Sequence, residues 1–135
     1  MLEGLKVIEM ATYVAAPAAG AMLRDWGADV IKIEPLNGCP RRRFFEGMRS
    51  NVPIEGNPIF TLDNRGKKGV TINTSDEKGA KIVRDMIKDA DVFLTNVRPQ
   101  SLEGAKLDHK SLLDINKKLI YCSLTGYGLE GEDKN

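Results

Sequence analysis

The chain has little of what most specialised proteins are built from. It holds two cysteines, Cys39 and Cys122, far apart in the sequence, which excludes a disulfide-stapled scaffold; with no export signal they read as reduced thiols. The single histidine, His109, has no cysteine or histidine beside it, so no metal-ligand spacing exists and a surface position is expected. Net charge is nearly absent: 20 basic residues against 19 acidic ones leave +1, which gives no electrostatic case for nucleic acid. No apolar run approaches the roughly 20 residues of a membrane span. The Ala-rich stretch Val14 to Leu23 is a poor secretory core, because Glu3 and Glu9 precede it and Pro17 and Gly20 interrupt it. A cytoplasmic location, with no membrane and no nucleic-acid partner, is expected.

What is present is a soluble globular composition, 41% hydrophobic and 29% charged, arranged as alternating strands and helices. Leu5 to Ile8 is a short apolar run ending near Glu9, the pattern of a strand covered on both faces. Pro17 suits the first turn of a helix whose apolar face is Ala19, Met22, Leu23 and Trp26, with Gly27 as its left-handed cap; Trp26 is expected to pack that helix on the sheet. Val30, Ile31 and Ile33 form a second strand stopped at Glu34-Pro35. From Leu36 to Asn57 glycines and prolines suggest a long structureless loop, in which Arg41, Arg42 and Arg43 read as a solvated surface rather than an anion site. Ile59, Phe60 and Leu62 lead into a cationic turn, Asp63 to Gly69, and a strand over Val70 to Asn73.

Thr74 and Glu77 stand in capping-box register before a helix with Ala80, Val83, Met86, Ile87 and Ala90 on one face. Asp91 to Thr95 is the next strand. Asp108 caps a helix carrying Leu112, Leu113 and Ile115, and Leu119 to Leu124 is the fifth strand, with Cys122 in its core. Asp63, Asp85 and Glu46 have no pairing that the sequence shows. The order predicts an α/β fold, a Rossmann-like doubly wound parallel sheet, whose ligands sit beyond the carboxyl ends of the strands. That rule nominates Met10 to Ala16, the segment from Pro35, Asn96 to Arg98 and Thr125 to Gly128. The turn at Lys67 precedes its strand and needs a long loop to reach that edge.

Gly126-Tyr127-Gly128-Leu129-Glu130-Gly131 matches G-x-G-x-x-G, but acidic residues surround it and no helix pattern follows, so it is a weak dinucleotide fingerprint. The first crossover has the right architecture and Glu34 at its second strand, yet its loop from Met10 to Pro17 contains no glycine, so backbone cannot approach a pyrophosphate there. A flat or apolar ligand, an adenine ring or a thioester acyl chain, suits it better, with Lys67, Lys68 and Arg98 available for phosphates. A non-enzymatic module binding NAD or ATP is the alternative.

Several motifs in one order carry a resemblance: Leu5 to Glu9, Val14 to Gly20, Trp26 to Pro35, Asp91 to Pro99 and Thr125 to Gly128. Together they resemble the class III CoA-transferases, the family of formyl-CoA and carnitine CoA-transferases, and within it the clostridial enzymes acting on phenyllactate or 2-hydroxyisocaproate. The resemblance implies that residues 1–135 are the N-terminal coenzyme-A-binding part of a Rossmann-like large domain, with the rest of that domain and a small domain lying outside the chain. It implies acyl-CoA and a free carboxylic acid as substrates, no metal, and two full-length subunits threaded as interlocked rings. Coenzyme A contacts carried over by it are Thr12, Tyr13, Val14 and Ala15; Asn64, Arg65, Gly66, Lys67 and Lys68; Asn96, Val97 and Arg98; and the covering loop Gly126, Tyr127 and Gly128. Pro35 and Gly104 stand where the family carries basic residues, with Lys106 a partial substitute for the second. The family nucleophile is an aspartate forming first an anhydride and then a thioester. No aspartate here matches it, Asp133 included, so it is expected beyond Asn135 and the 135 residues alone are expected to be inactive.

Overall fold

The computed structural model describes residues 1–48, 50–53 and 56–132. Asp133 and Asn135 lie outside the described residues.

β1 (Lys6–Met10), β2 (Asp29–Glu34), β3 (Lys68–Thr71), β4 (Val92–Thr95) and β5 (Ile120–Ser123) form one sheet in the order β3-β2-β1-β4-β5. Every pairing is parallel. The expected doubly wound sheet is therefore the observed one, and its order reverses between β1 and β4, where such sheets open a ligand crevice. β1, β2 and β4 are apolar because both their faces are covered. One face holds Ile8, Ile33 and Phe93 under α4 (Glu77–Ile87) and α6 (His109–Ile115); the other holds Val7, Val30, Val92 and Leu94 under α1 (Ala15–Asp25).

Three short helices were not expected from the pattern. α2 (Phe44–Gly47), preceded by a 3-10 turn over Pro40–Arg43, lies inside the supposedly structureless loop. α3 (Pro58–Asn64) starts where punctuation was expected: the Asn57 side chain accepts the Phe60 N–H, and Pro58 fills the first helical position. α5 (Pro99–Gly104) begins with Pro99 in the same way. One start is also corrected. The cap of α4 is Asp76, which accepts the Lys78 N–H at 2.9 Å, not Thr74. Asp108 caps α6 as expected, accepting the Ser111 N–H at 3.0 Å.

The face of α1 is the largest correction. Its buried residues are Ala16, Pro17, Gly20 and Ala21, while Met22 and Trp26 are about half exposed. Met22 and Trp26 face outward because the inward side lies against a group of charges, described below, that leaves no room for them; Leu23 keeps the expected inward contact, packing on the core around Val7 and Val30. Cys122 is likewise exposed rather than in the core, since β5 is an edge strand. His109 is exposed as expected and packs edge-on against Tyr121, ring centroids 5.3 Å apart.

Candidate coenzyme site at the carboxyl edge of the sheet

The loop after β1 is short, residues 11–14. Thr12 is half-buried, and Tyr13, Val14 and Ala15 are exposed. Tyr13 has φ 62, the left-handed region that costs any residue with a Cβ. Val14 precedes α1 without a side-chain cap, so the first N–H groups of that helix receive no hydrogen bond from its own capping residue. Across the edge, the Thr95 hydroxyl donates to the Met10 carbonyl at 2.8 Å, and the Asn96 carboxamide both accepts from the Thr12 N–H at 2.9 Å and donates to the Thr12 carbonyl at 2.8 Å.

Two cavities open along this edge. One of about 770 Å³ is bounded by Asn96, Val97 and Arg98 on one side and by Leu124 to Tyr127 on the other. A second, of about 210 Å³, runs from Met10 and Thr12 across Glu34 and Pro35 to Asn73 and Val97. The four segments nominated by topology thus converge at the edge. Arg98 is exposed, and no ion pair among the described residues holds it. In the glycine loop the Gly128 N–H donates to the Thr125 hydroxyl at 2.8 Å, Gly128 takes φ +93, and the Tyr127 side chain is 80% exposed. Loop backbone and an aromatic ring are therefore presented outward beside the larger cavity.

The Asn64–Lys67 segment is elsewhere engaged. The Lys67 ammonium is buried and meets Glu9 Oε2 at 2.6 Å, the Pro17 carbonyl at 2.7 Å, the Asp63 carbonyl at 2.8 Å and Asn64 Oδ1 at 3.2 Å. Its three protons are spent on four acceptors within the protein, which leaves no donor for the phosphate contact expected of it. Burial dominates its protonation and lowers its pKa, against the opposing pull of Glu9. Lys68 pairs with Asp29 in the exposed first residues of β3 and β2, at the amino rather than the carboxyl end. Arg65 is tied to Asp25, and the Gly66 carbonyl accepts from Arg24 Nε at 2.9 Å. Gly66 takes φ +71, which its lack of a Cβ permits in the turn before β3.

Glu9 is the centre of this arrangement. Its second oxygen accepts from Lys32 Nζ at 2.8 Å, and that ammonium also donates to the Ala11 carbonyl at 2.8 Å. All three side chains are essentially inaccessible to solvent. A Cβ on Gly20 would stand 2.0 Å from Glu9 Oε2 and 3.2 Å from Lys67 Nζ, so the helix can lie over the ions only with glycine there. Two of the three arginines of the long loop are also structural, correcting the solvated-surface expectation for Arg41 and Arg42, while Arg43 is exposed as expected. Arg42 clasps Glu34 through Nε at 2.8 Å and its terminal nitrogen at 2.7 Å while lying over the Phe60 ring, 3.8 Å from its centroid. Arg41 faces Asp63 at 3.8 Å, and the Asn57 amide bridges the carbonyls of Arg41 and Arg42, each at 2.9 Å. Asp63 and Asp85, unpaired in the sequence reading, thus find partners, Asp85 in Lys81 and Lys88. The Glu9 group and the Arg41–Asp63 contact carry no signal in the sequence because their partners are distant, whereas Asp85 lies four residues after Lys81 and three before Lys88.

No group of three or more metal-ligating side chains occurs among the described residues, and no helix among them is long and apolar enough to cross a membrane.

Residues 2–135 match the model of CoA-transferase family III. Among curated proteins, the (R)-2-hydroxy-4-methylpentanoate CoA-transferase of Clostridioides difficile is 41% identical over 135 residues, covering 100% of this chain and 34% of that protein. The cinnamoyl-CoA:phenyllactate CoA-transferase of Clostridium sporogenes is 41% identical, over 100% of this chain and 33% of its own. Among solved structures, a CaiB/BaiF family protein from Brucella suis superimposes with a TM-score of 0.87 at 40% identity, covering 96% of this chain and 34% of that one. The chain spans about a third of the length of these relatives. With the family model matched over almost every residue and the fold shared with its solved members, the chain belongs to CoA-transferase family III.

Proposed function

We propose that the full protein moves coenzyme A between an acyl-CoA and a free carboxylic acid, and that residues 1–135 form the seat of the coenzyme. The observation that carries this reading is a pair of cavities at the carboxyl edge of the sheet: Asn96 to Arg98 and the Gly126–Tyr127 loop line one, Thr12 and Val97 line the other, and Tyr13 to Ala15 follow Thr12 in exposed positions. The chemistry offered there fits a carrier that is part apolar and part anionic. Tyr13 and Val14 present apolar surface, Arg98 a charge, and the uncapped start of α1 a positive field. Asn64 and Lys67 serve by fixing α1 and β1 from below, and Arg65 and Gly66 hold the same turn, so this segment supports the seat rather than touching phosphate.

The acid is a 2-hydroxy acid, supported by the similarity at 41% identity to two transferases named for such acids. The nucleophile is an aspartate outside residues 1–135. A carboxylate nucleophile divides acyl transfer into two easier steps, and the backbone N–H groups of Gly126 and Tyr127 stabilise the oxyanion that each step develops, that of Gly128 being held by the Thr125 hydroxyl. Two full-length subunits interlock in the cytoplasm, with no metal, nucleic acid or membrane involved.

Incubating full-length protein with an acyl-CoA and a 2-hydroxy acid, followed by mass spectrometry, is expected to give the hydroxyacyl-CoA and an adduct on one aspartate. Neither product nor adduct, together with NAD or ATP binding that coenzyme A does not displace, would replace this reading by a nucleotide-binding module.

A further inference from the structure

Between β1 and β4 the carboxyl edge is closed by side chains after the backbone ladder has ended. The last ladder pair is Met10 with Thr95. One residue further, Asn96 Oδ1 takes the Thr12 N–H and Asn96 Nδ2 returns a hydrogen bond to the Thr12 carbonyl, so both functional atoms of the carboxamide are committed to one backbone unit. The next residue is Tyr13, one of two non-glycine residues with positive φ among those described, and more than half exposed. A bulky side chain persists in that conformation only where its surroundings impose it. The residue before it is fixed by the clamp, and the residues after it enter α1.

We infer that Asn96 is a positioning residue: it holds the Thr12 backbone so that Tyr13 is forced into the left-handed conformation and presented to the coenzyme, and it serves the ligand through Tyr13 rather than by touching it. This rests on the coenzyme-binding reading above and gives Asn96 a different task from the contact that resemblance alone implied.

The test measures affinity for free coenzyme A by calorimetry in the full-length protein, in Asn96→Ala, in Tyr13→Asn and in the double variant. Asparagine at position 13 tolerates the left-handed region and removes the ring. The expected result is an about tenfold loss for Asn96→Ala alone, the scale of two hydrogen bonds, and less than about twofold further loss when Tyr13 is already replaced. Equal losses in both backgrounds indicate a direct contact and overturn the inference, as does an Asn96→Ala variant that binds normally. If Asn96→Ala does not fold by circular dichroism, Asn96→Asp takes its place: it keeps the acceptor for Thr12 and loses the donor, and the same comparison of backgrounds decides. Failure of the unsubstituted protein to bind coenzyme A refutes the coenzyme reading itself; binding that is indifferent to Asn96 refutes only the positioning role.

Discussion

At the scale of single residues, the structure turns on one glycine and one carboxylate. Gly20 lies where any side chain would strike Glu9. Gly20→Ala is expected to lower stability by about 3 kcal/mol in denaturant unfolding, because the methyl must displace backbone or part a buried ion from its partner. Gly104→Ala is the control: it is helical with nothing within 4 Å of the added Cβ, and is expected to be neutral or to stabilise by up to about 1 kcal/mol. Glu34 supplies a pH dependence. Burial, the largest influence on it, raises its pKa, but the Arg42 hydrogen bond, the Cys39 N–H and the charges of Arg42 and Lys32 together outweigh burial and leave it lowered from 4.5. A carboxyl whose folded pKa is depressed stabilises the fold above its unfolded value and loses that contribution as pH falls through the folded one. Arg42→Met is therefore expected to cost most stability at neutral pH and progressively less as pH falls below 4.5, read by denaturant unfolding over that range; a cost that does not change with pH would remove Glu34 from the account.

Among elements, α4 and α1 show what the sequence reveals and what it conceals. The α4 pattern of Ala80, Val83 and Ile87 was legible because all three are buried at helical spacing. Only its cap was misplaced: Thr74 and Glu77 formed a plausible box, while the backbone turns at Asp76 instead. Asp76→Ala is expected to cost about 1 kcal/mol and Thr74→Ala less than half of that, by thermal unfolding. In α1 the existence of the helix was legible and its face was not. Reading larger apolar residues as the inward ones fails where the helix must approach a sheet that carries charge, since what fits there is alanine and glycine. The strands were legible because β1, β2 and β4 are buried on both sides and read as apolar runs. α3 was concealed because its start, Asn57-Pro58, looks like loop punctuation and its seven residues are too few to show a period. Of the site, the loops following β1, β4 and β5 were legible from topology, whereas the structural engagement of Lys67 was not, because its partner Glu9 is 58 residues away.

For the molecule as a whole, the sheet is finished on one side more than on the other. The register of β4 and β5 pairs Val92 with Ile120 and Leu94 with Cys122, so Ile120 and Cys122 continue the face that α1 covers. There, however, Ile120 is 61% and Leu124 44% exposed. Apolar surface on an edge strand invites association. The 135 residues by themselves are expected to self-associate at micromolar concentration, and Ile120→Lys with Leu124→Lys to shift sedimentation toward the monomer; a monomeric unsubstituted chain would show that this strip is tolerated in water.

The Glu9 ion group also sets an order of events as the chain is made. The carboxylate comes from β1, its first cation from β2 and its second from beyond α3, so the earliest strand carries a charge that cannot be buried at full satisfaction until residue 67 has arrived. A nascent β1-α1-β2 unit therefore leaves one Glu9 oxygen without its cation until about half of these residues have been made. The first crossover, which looks self-contained in the sequence, is completed by a residue from outside it.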